Sequence, residues 1–223
     1  MTFLSFQSVL LSLGEVLLWL VFSYLLISVF EYLIHKHFMH QKRFFKGVYS
    51  FLPYLIEVFE SHAVRHHAKW YRKFDFEPDA VGREENLEIL LVDIFAMLIF
   101  TMPVWGTLMW FNPWGGVIFI SVFFMHRFLW NTIHRQMHIP EDVIFRNWGI
   151  YRFLARHHFL HHQNAGKNFN VVFPLSDVLF GSVGAAKLKD VREMLRLGHI
   201  LPRSARTQKS LDRLGFPLLG ANH

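Results

Sequence analysis

The chain has 223 residues, the usual size of one domain, and 52% of them are hydrophobic, which is more than a soluble domain of this size normally carries. It contains no cysteine, which excludes disulfides, thiolate zinc sites, iron–sulfur clusters and a cysteine nucleophile. The formal charge of +6 would suit nucleic acid, but the Lys and Arg residues are absent from long apolar stretches and crowd between them. That distribution is typical of a membrane protein, so we expect a membrane rather than nucleic acid as the partner.

Three apolar stretches, residues 9–34, 87–111 and 116–133, come close to the roughly 20 residues that a membrane-spanning helix needs. A turn signal at 112–116 (NPWGG) separates the second from the third. Two shorter stretches, 48–60 and 143–160, are predicted to lie at the membrane interface. The first stretch lacks a basic leader and is expected to be retained rather than cleaved. The sequence therefore predicts one all-α, polytopic membrane domain over residues 1–223.

The basic residues predict the orientation of this domain. Eight lie at 36–73 and fourteen follow from Arg127 onward, whereas residues 1–30 and 84–126 contain none. Because loops rich in Lys and Arg stay in the cytoplasm, we expect the N-terminus and the 112–116 turn outside, and residues 36–83 and 127–223 inside.

Eleven of the fifteen histidines fall into four groups in these basic regions. The groups span 35–40, 62–67, 134–138 and 157–162, so the predicted topology brings all four to the same side of the membrane. Residues three or four apart share a helix face, which predicts that His62 pairs with His66, His134 with His138, and His158 with His161 and His162. His35 and His40 are five apart and would diverge on a regular helix. We therefore expect a π-bulge or a helix end between them.

Four histidine groups in one layer indicate a metal site. Imidazole suits Zn, Cu, Fe and Ni, but a structural zinc needs only four ligands, so ten candidates favour two ions with about five ligands each, and iron fits best. The side chains of Asn131, Asp177, Glu31 and Glu60 are candidates to orient the ligand rings from outside. His157 remains an alternative to His158. The candidate ligands are His35, His40, His62, His66, His67, His134, His138, His158, His161 and His162.

These four groups resemble the histidine boxes of the fatty acid hydroxylase and sterol desaturase superfamily of integral membrane di-iron proteins. The matching segments are 31–40 (EYLIHKHFMH), 62–67 (HAVRHH), 134–138 (HRQMH) and 158–162 (HFLHH), followed by 168–181 (NFNVVFPLSDVLFG). The chain departs from the family in having three residues rather than two before His66-His67, and in Asn170 and Ser176, where glycine and tryptophan are usual.

The resemblance implies a helical membrane domain with a cytosolic histidine-rich cap, in which two irons and dioxygen oxidise an unactivated C–H bond of a fatty acyl, sterol or carotenoid lipid. Hydroxylation is the default outcome, and desaturation on the same site is the alternative. The chain has no room for a fused cytochrome b5 domain, so electrons are expected from an external ferredoxin or cytochrome b5.

Two other classes use histidines in membranes. A metal transporter needs ionisable groups along its spans, yet these contain few, namely Glu15, Glu31, Glu88, Asp93, His126 and Arg127, and the grouped histidines collect at one end. A di-haem cytochrome needs facing histidine pairs inside a helix bundle, which adjacent His-His pairs at a membrane end fit badly.

Overall fold

The computed structural model describes residues 13–72, 74, 87–202 and 204–213, and across these ranges the chain is helical, without a β-strand. Two π-helices interrupt the α-helical order. We call the first π1 (His35–Met39), which directly follows Ile34 of an α-helix, and the second π2 (Glu60–Trp70), which directly follows Phe59 of another. The α-helices are α1 (Leu13–Ile34), α2 (Lys46–Phe51), α3 (Tyr54–Phe59), α4 (Leu91–Phe111), α5 (Pro113–His138), α6 (Gly149–Gln163), α7 (Leu175–Leu179), α8 (Leu188–Arg196) and α9 (Ala205–Arg213).

Three helices are long and apolar enough to cross a membrane: Leu13–Met39, Leu91–Phe111 and Pro113–His138. They match the three predicted stretches, although residues 9–12 of the first lie outside the described part of the chain. The third helix continues five residues beyond the predicted end at 133. Its last turns are polar, and they stay helical because His134 and His138 are buried within the protein instead of facing lipid.

α5 packs against both α1 and α4, around a small core of Ile27, Ile94, Phe119 and Phe123. At the turn between α4 and α5, Asn112 accepts a hydrogen bond from Gly115 N at 2.9 Å, and Pro113 occupies the first helical position. A Cβ on Gly116 would lie 2.5 Å from Met109 Cγ. Glycine therefore allows the two helices to approach closely at this end.

The two predicted interfacial stretches fold differently from expectation. Residues 48–60 divide at Leu52 and Pro53 into α2 and α3 instead of forming one amphipathic segment. The second stretch becomes helical only at Gly149, and α6 buries Tyr151 and Leu154 against Met137 and Met194. This face of α6 covers the protein's own core, because the neighbouring helix α8 supplies an apolar partner that the local sequence pattern does not reveal.

A single cysteine at Phe111, which is exposed at the end of α4, and another at Ser204 should lie on opposite sides of the membrane. α5 extends for roughly 40 Å between its first residue and the histidines at its other end. In intact cells the cysteine at Phe111 should react with an impermeant maleimide, and the one at Ser204 should react only after permeabilisation. Labelling of Ser204 alone in intact cells would contradict the orientation.

Candidate metal centre

The described structure brings nine histidines into two groups, each with one ring nitrogen per residue within 4.8 Å of the others in its group. We call them cluster 1 (His35, His40, His62, His67, His161) and cluster 2 (His66, His138, His158, His162). Each cluster can hold a metal ion. The rings of His67 and His162 stack with centroids 3.9 Å apart, so the two clusters are direct neighbours.

His134 lies beside cluster 2. Its ring centroid is 4.9 Å from those of His66 and His138 and 4.8 Å from that of His158. Its Nε2 atom is buried and without a hydrogen-bond partner in the described structure. With His134 as a fifth member of cluster 2, all ten candidate ligands of the sequence lie in or against one of the two clusters.

The π-helices determine which histidines meet in cluster 1. Hydrogen bonds in a π-helix run from residue i to i+5, so side chains five residues apart lie one above the other. This brings His35 and His40 together at π1, which confirms the predicted irregularity there. On π2 the same geometry pairs His62 with His67, so the expected pairing of His62 with His66 is wrong.

Cluster 2 is built instead from α-helical pairs four residues apart. His158 and His162 lie on one face of α6, and His134 and His138 on one face of α5. His161 points to cluster 1, so the prediction that it joins His158 and His162 is wrong. His66 from π2 completes cluster 2, and His161 from α6 completes cluster 1.

Backbone carbonyls hold four of the rings through Nδ1. His161 donates to Lys167 O at 2.7 Å, His134 to Leu87 O at 2.9 Å and His138 to Phe74 O at 2.6 Å, and His35 donates to Phe169 O. In a neutral imidazole this leaves Nε2 with its lone pair free. Metal-binding histidines characteristically donate their second nitrogen in this way.

The free lone pairs converge on other histidine nitrogens. His161 Nε2 lies 2.9 Å from His40 Nε2, and His138 Nε2 lies 3.1 Å from His158 Nε2. His62 Nε2 lies between the Nε2 atoms of His35 and His67, at 2.8 and 3.1 Å. The Nε2 lone pairs of His35, His138 and His161 thus face nitrogens of neighbouring rings, and a metal ion between the rings could bind them together, so the donor set fits a metal ion.

Burial keeps the rings outside the spans neutral. Loss of solvation lowers the pKa of His161 to about 4, and together with the nearby His161 it lowers the pKa of His40 to about 2. Burial, followed by repulsion from neighbouring histidines, also lowers the pKa well below its usual value for His62, His66, His67, His158 and His162. Neutral imidazole is the form that binds a metal.

Two residues with positive φ, Phe74 and Asn168, lie at or beside three of these carbonyls. Phe74 adopts φ of 77°, in the left-handed region, and its ring packs on His138 with a centroid distance of 4.7 Å. Asn168, with φ of 57°, lies between Lys167 and Phe169, whose carbonyls both face cluster 1. Asn tolerates this conformation better than most residues, and its side chain donates to His157 O at 3.0 Å.

Asn131 does not contact a candidate ligand ring, contrary to expectation. Its amide pairs with the backbone of Ile89, accepting from Ile89 N at 2.8 Å and donating to Ile89 O at 3.2 Å. It therefore holds the segment that presents Leu87 O to His134, and it acts on the ring only through this backbone.

Asp177 also acts through backbone. Its carboxylate accepts from the Phe169 and Asn170 amides at 2.8 and 2.7 Å, from Ser182 Oγ at 2.6 Å and from His157 Nε2 at 2.9 Å. Burial alone would raise the pKa of Asp177, but these hydrogen bonds, that of His157 foremost, lower it below its ordinary value. His157 is thus held by Asp177 outside both clusters, and His158 occupies the cluster position.

Other partners are found for the two carboxylates that were expected to orient ligand rings, and for two histidines that belong to neither cluster. Glu31 accepts from Val171 N at 2.8 Å, and Glu60 lies 3.7 Å from Lys42 Nζ. His37 lies 3.3 Å from Gln41 Oε1, and His199 packs its ring on Phe74. None of these four contacts a cluster histidine through a described hydrogen bond.

Comparison with protein-family models, with curated proteins and with solved structures found no match to this chain. The geometry of the site is therefore the basis on which function is inferred below.

Replacing one histidine of each cluster should remove metal from that cluster alone. We expect His161→Ala and His66→Ala each to lower the metal content from about two ions per chain towards one, because each cluster loses one of about five ligands. Elemental analysis of the purified protein measures this. His37→Ala is the matched control and should retain both ions. Equal metal loss in the control would contradict the assignment.

Replacing a residue that positions a carbonyl acceptor should weaken metal binding at one cluster only. Asn131→Ala should weaken metal binding at cluster 2, because Leu87 O is released from His134, and Asp177→Asn should weaken binding at cluster 1 through Phe169 O. Loss of such outer contacts typically lowers metal affinity by about 10- to 100-fold. Chelator competition that resolves the two binding steps tests this, and loss of the same step in both variants would refute it.

Proposed function

We propose that this chain is a multi-pass membrane di-iron oxygenase that hydroxylates an unactivated C–H bond of a lipid, and that it belongs to the fatty acid hydroxylase and sterol desaturase superfamily. The observation that carries the proposal is the junction between cluster 1 and a large apolar cavity among the membrane-length helices. The site thus combines metal-binding histidines with an adjoining apolar cavity that can hold a lipid, and the proposed reaction requires both.

The donor set favours iron over other metals. Each cluster offers about five nitrogen ligands and no carboxylate or thiolate, whereas a structural zinc site is closed by four. Two irons held by these ten histidines would supply the activation of dioxygen and the oxidation of the C–H bond. The protein's own part is to keep ten neutral rings in place through the carbonyls of Leu87, Phe74, Lys167 and Phe169.

The cavity supports a lipid substrate. Its volume is about 1050 Å³, at the upper end of the usual range for ligand pockets. Side chains such as Ile27, Phe30, Phe38 and Phe100 line it. Among the lining residues, His35 and His62 belong to cluster 1. A chain bound in the cavity would therefore present its C–H bond to cluster 1, while the apolar walls exclude water from the reacting carbon.

The electrons would come from an external protein. The chain has no cysteine for an iron–sulfur cluster, and exposed basic residues flank the histidine-bearing segments, among them Lys42, Arg43, Lys46, Lys69 and Arg72. Such a surface attracts an acidic donor of the ferredoxin or cytochrome b5 type. This placement agrees with a cytoplasmic position for the clusters, since Lys and Arg concentrate on that side.

Expression of the chain in a host with a suitable donor should produce a lipid that gains one oxygen atom. A matched host carrying His161→Ala should lack this product, and one carrying His37→Ala should retain it. Mass spectrometry of total lipid, with growth under ¹⁸O₂, measures the gain and its origin. A product that has lost two hydrogen atoms would indicate desaturation instead, and a product formed without dioxygen would refute an oxygenase.

A further inference from the structure

His126 is a buried polar residue that the metal clusters do not use. It lies on α5, two helical turns before His134, and is 8% exposed. Neither of its ring nitrogens has a hydrogen-bond partner in the described part of the chain. Burying a polar group without a partner is costly, and more so inside a membrane span, where such groups usually serve function.

The carboxyl group of Glu31 lies next to this ring, and its side chain is 8% exposed. Glu31 Oε2 is 3.6 Å from His126 Nε2, which is too long for a hydrogen bond. Its oxygens already accept from Val171 N and from the side chain of Asn170, each at 2.8 Å. Glu31 and His126 both line the apolar cavity that reaches His35. They place two ionisable groups side by side on a mainly apolar wall that includes Ile27, Phe30 and Phe123, and we call this pair the polar corner.

We propose that His126 and Glu31 bind a hydroxyl group of the substrate, so that the enzyme acts on a neutral, hydroxyl-bearing lipid; this inference rests on the proposed function. A hydroxyl group can donate one hydrogen bond and accept others. It can accept from the Nε2–H of His126 and donate to Glu31 Oε2, which gives the unpartnered Nε2 atom a partner and links the two side chains.

Other lipid groups satisfy this corner less well. The carboxylate of a fatty acid has no hydrogen to donate and would place its oxygens against those of Glu31. An ether can accept from the N–H of His126 but has no hydrogen to donate to Glu31, and a hydrocarbon end can form neither hydrogen bond, so each lacks at least one contact that a hydroxyl group makes. The corner therefore selects for a group that both donates and accepts.

The same geometry places the hydroxyl group near the metal site. Glu31 precedes His35 by four residues on the same continuous helix, which is about 6 Å along its axis. A hydroxyl bound at Glu31 thus lies about one helical turn from cluster 1. The oxidised carbon is then close to the hydroxyl, and not at the far end of a long chain.

Direct binding of matched lipids tests this proposal. The full chain, purified in detergent with its metal content measured, is titrated with radiolabelled octadecanol, its methyl ether and octadecanoate, in the absence of dioxygen and donor. Octadecanol should bind about tenfold more tightly than either of the others, the effect of one hydrogen bond to a charged or strongly polar group. His126→Phe, which removes both nitrogens, should abolish this preference.

Two further variants separate recognition from folding. His126→Asn restores a donor and an acceptor and should recover part of the preference for octadecanol, whereas Phe30→Leu, elsewhere in the cavity, should change all three affinities by the same factor. Equal binding of the three lipids, or a preference that survives His126→Phe, would overturn the proposal. Because the assay needs no turnover, a preference found in protein that binds no iron would refute the di-iron function while leaving the hydroxyl site intact.

Discussion

Four carbonyl groups outside the regular helices hold the metal-binding rings, and the architecture of the site depends on keeping them in place. Leu87, Phe74, Lys167 and Phe169 each accept an Nδ1–H of a buried histidine. A buried ring without this contact would lose a hydrogen bond worth about 1 kcal/mol and could turn its lone pair away from the cluster. Several features position these carbonyls. They are the side-chain hydrogen bonds of Asn131 and Asp177, the positive φ of Asn168 and Phe74, and the hydrogen bond from Asn168 to His157.

Helix type sorts the histidines into two clusters. The i to i+5 spacing of π1 and π2 supplies four ligands of cluster 1, and the i to i+4 spacing of α5 and α6 supplies four of cluster 2. The second histidine segment has one residue more than the family that it resembles, and π2 is the form of helix that accommodates this residue. Adjacent His66 and His67 then diverge, one to each cluster, as do His161 and His162.

The sequence was sufficient to predict the three long helices, the ten histidines and the irregular backbone at His35, because hydrophobic length and ligand spacing are local properties. It was not sufficient to predict π2 or the division of the histidines, because His62 is four residues from His66 and five from His67, and these two spacings fit an α-helix and a π-helix respectively. The carbonyl acceptors of the histidine rings could not be predicted from the sequence. Every residue has a carbonyl group, so no sequence signal marks the four that matter. The roles expected of Asn131 and Asp177 were only indirectly right, because neither side chain forms a hydrogen bond to a ring of either cluster.

The cavity, the clusters and the polar corner share the first and third long helices, α1 and α5. One face of the first long helix carries three different parts of the site within about two turns. Ile27 belongs to the apolar wall of the cavity, Glu31 to the polar corner and His35 to cluster 1. We expect this arrangement to end in two separate metal sites. Anomalous diffraction at the iron edge tests it most directly. Two peaks per chain are expected, one surrounded by His35, His40, His62, His67 and His161, the other by His66, His134, His138, His158 and His162. A single peak, or peaks away from these rings, would contradict the presence of two metal sites held by these histidines.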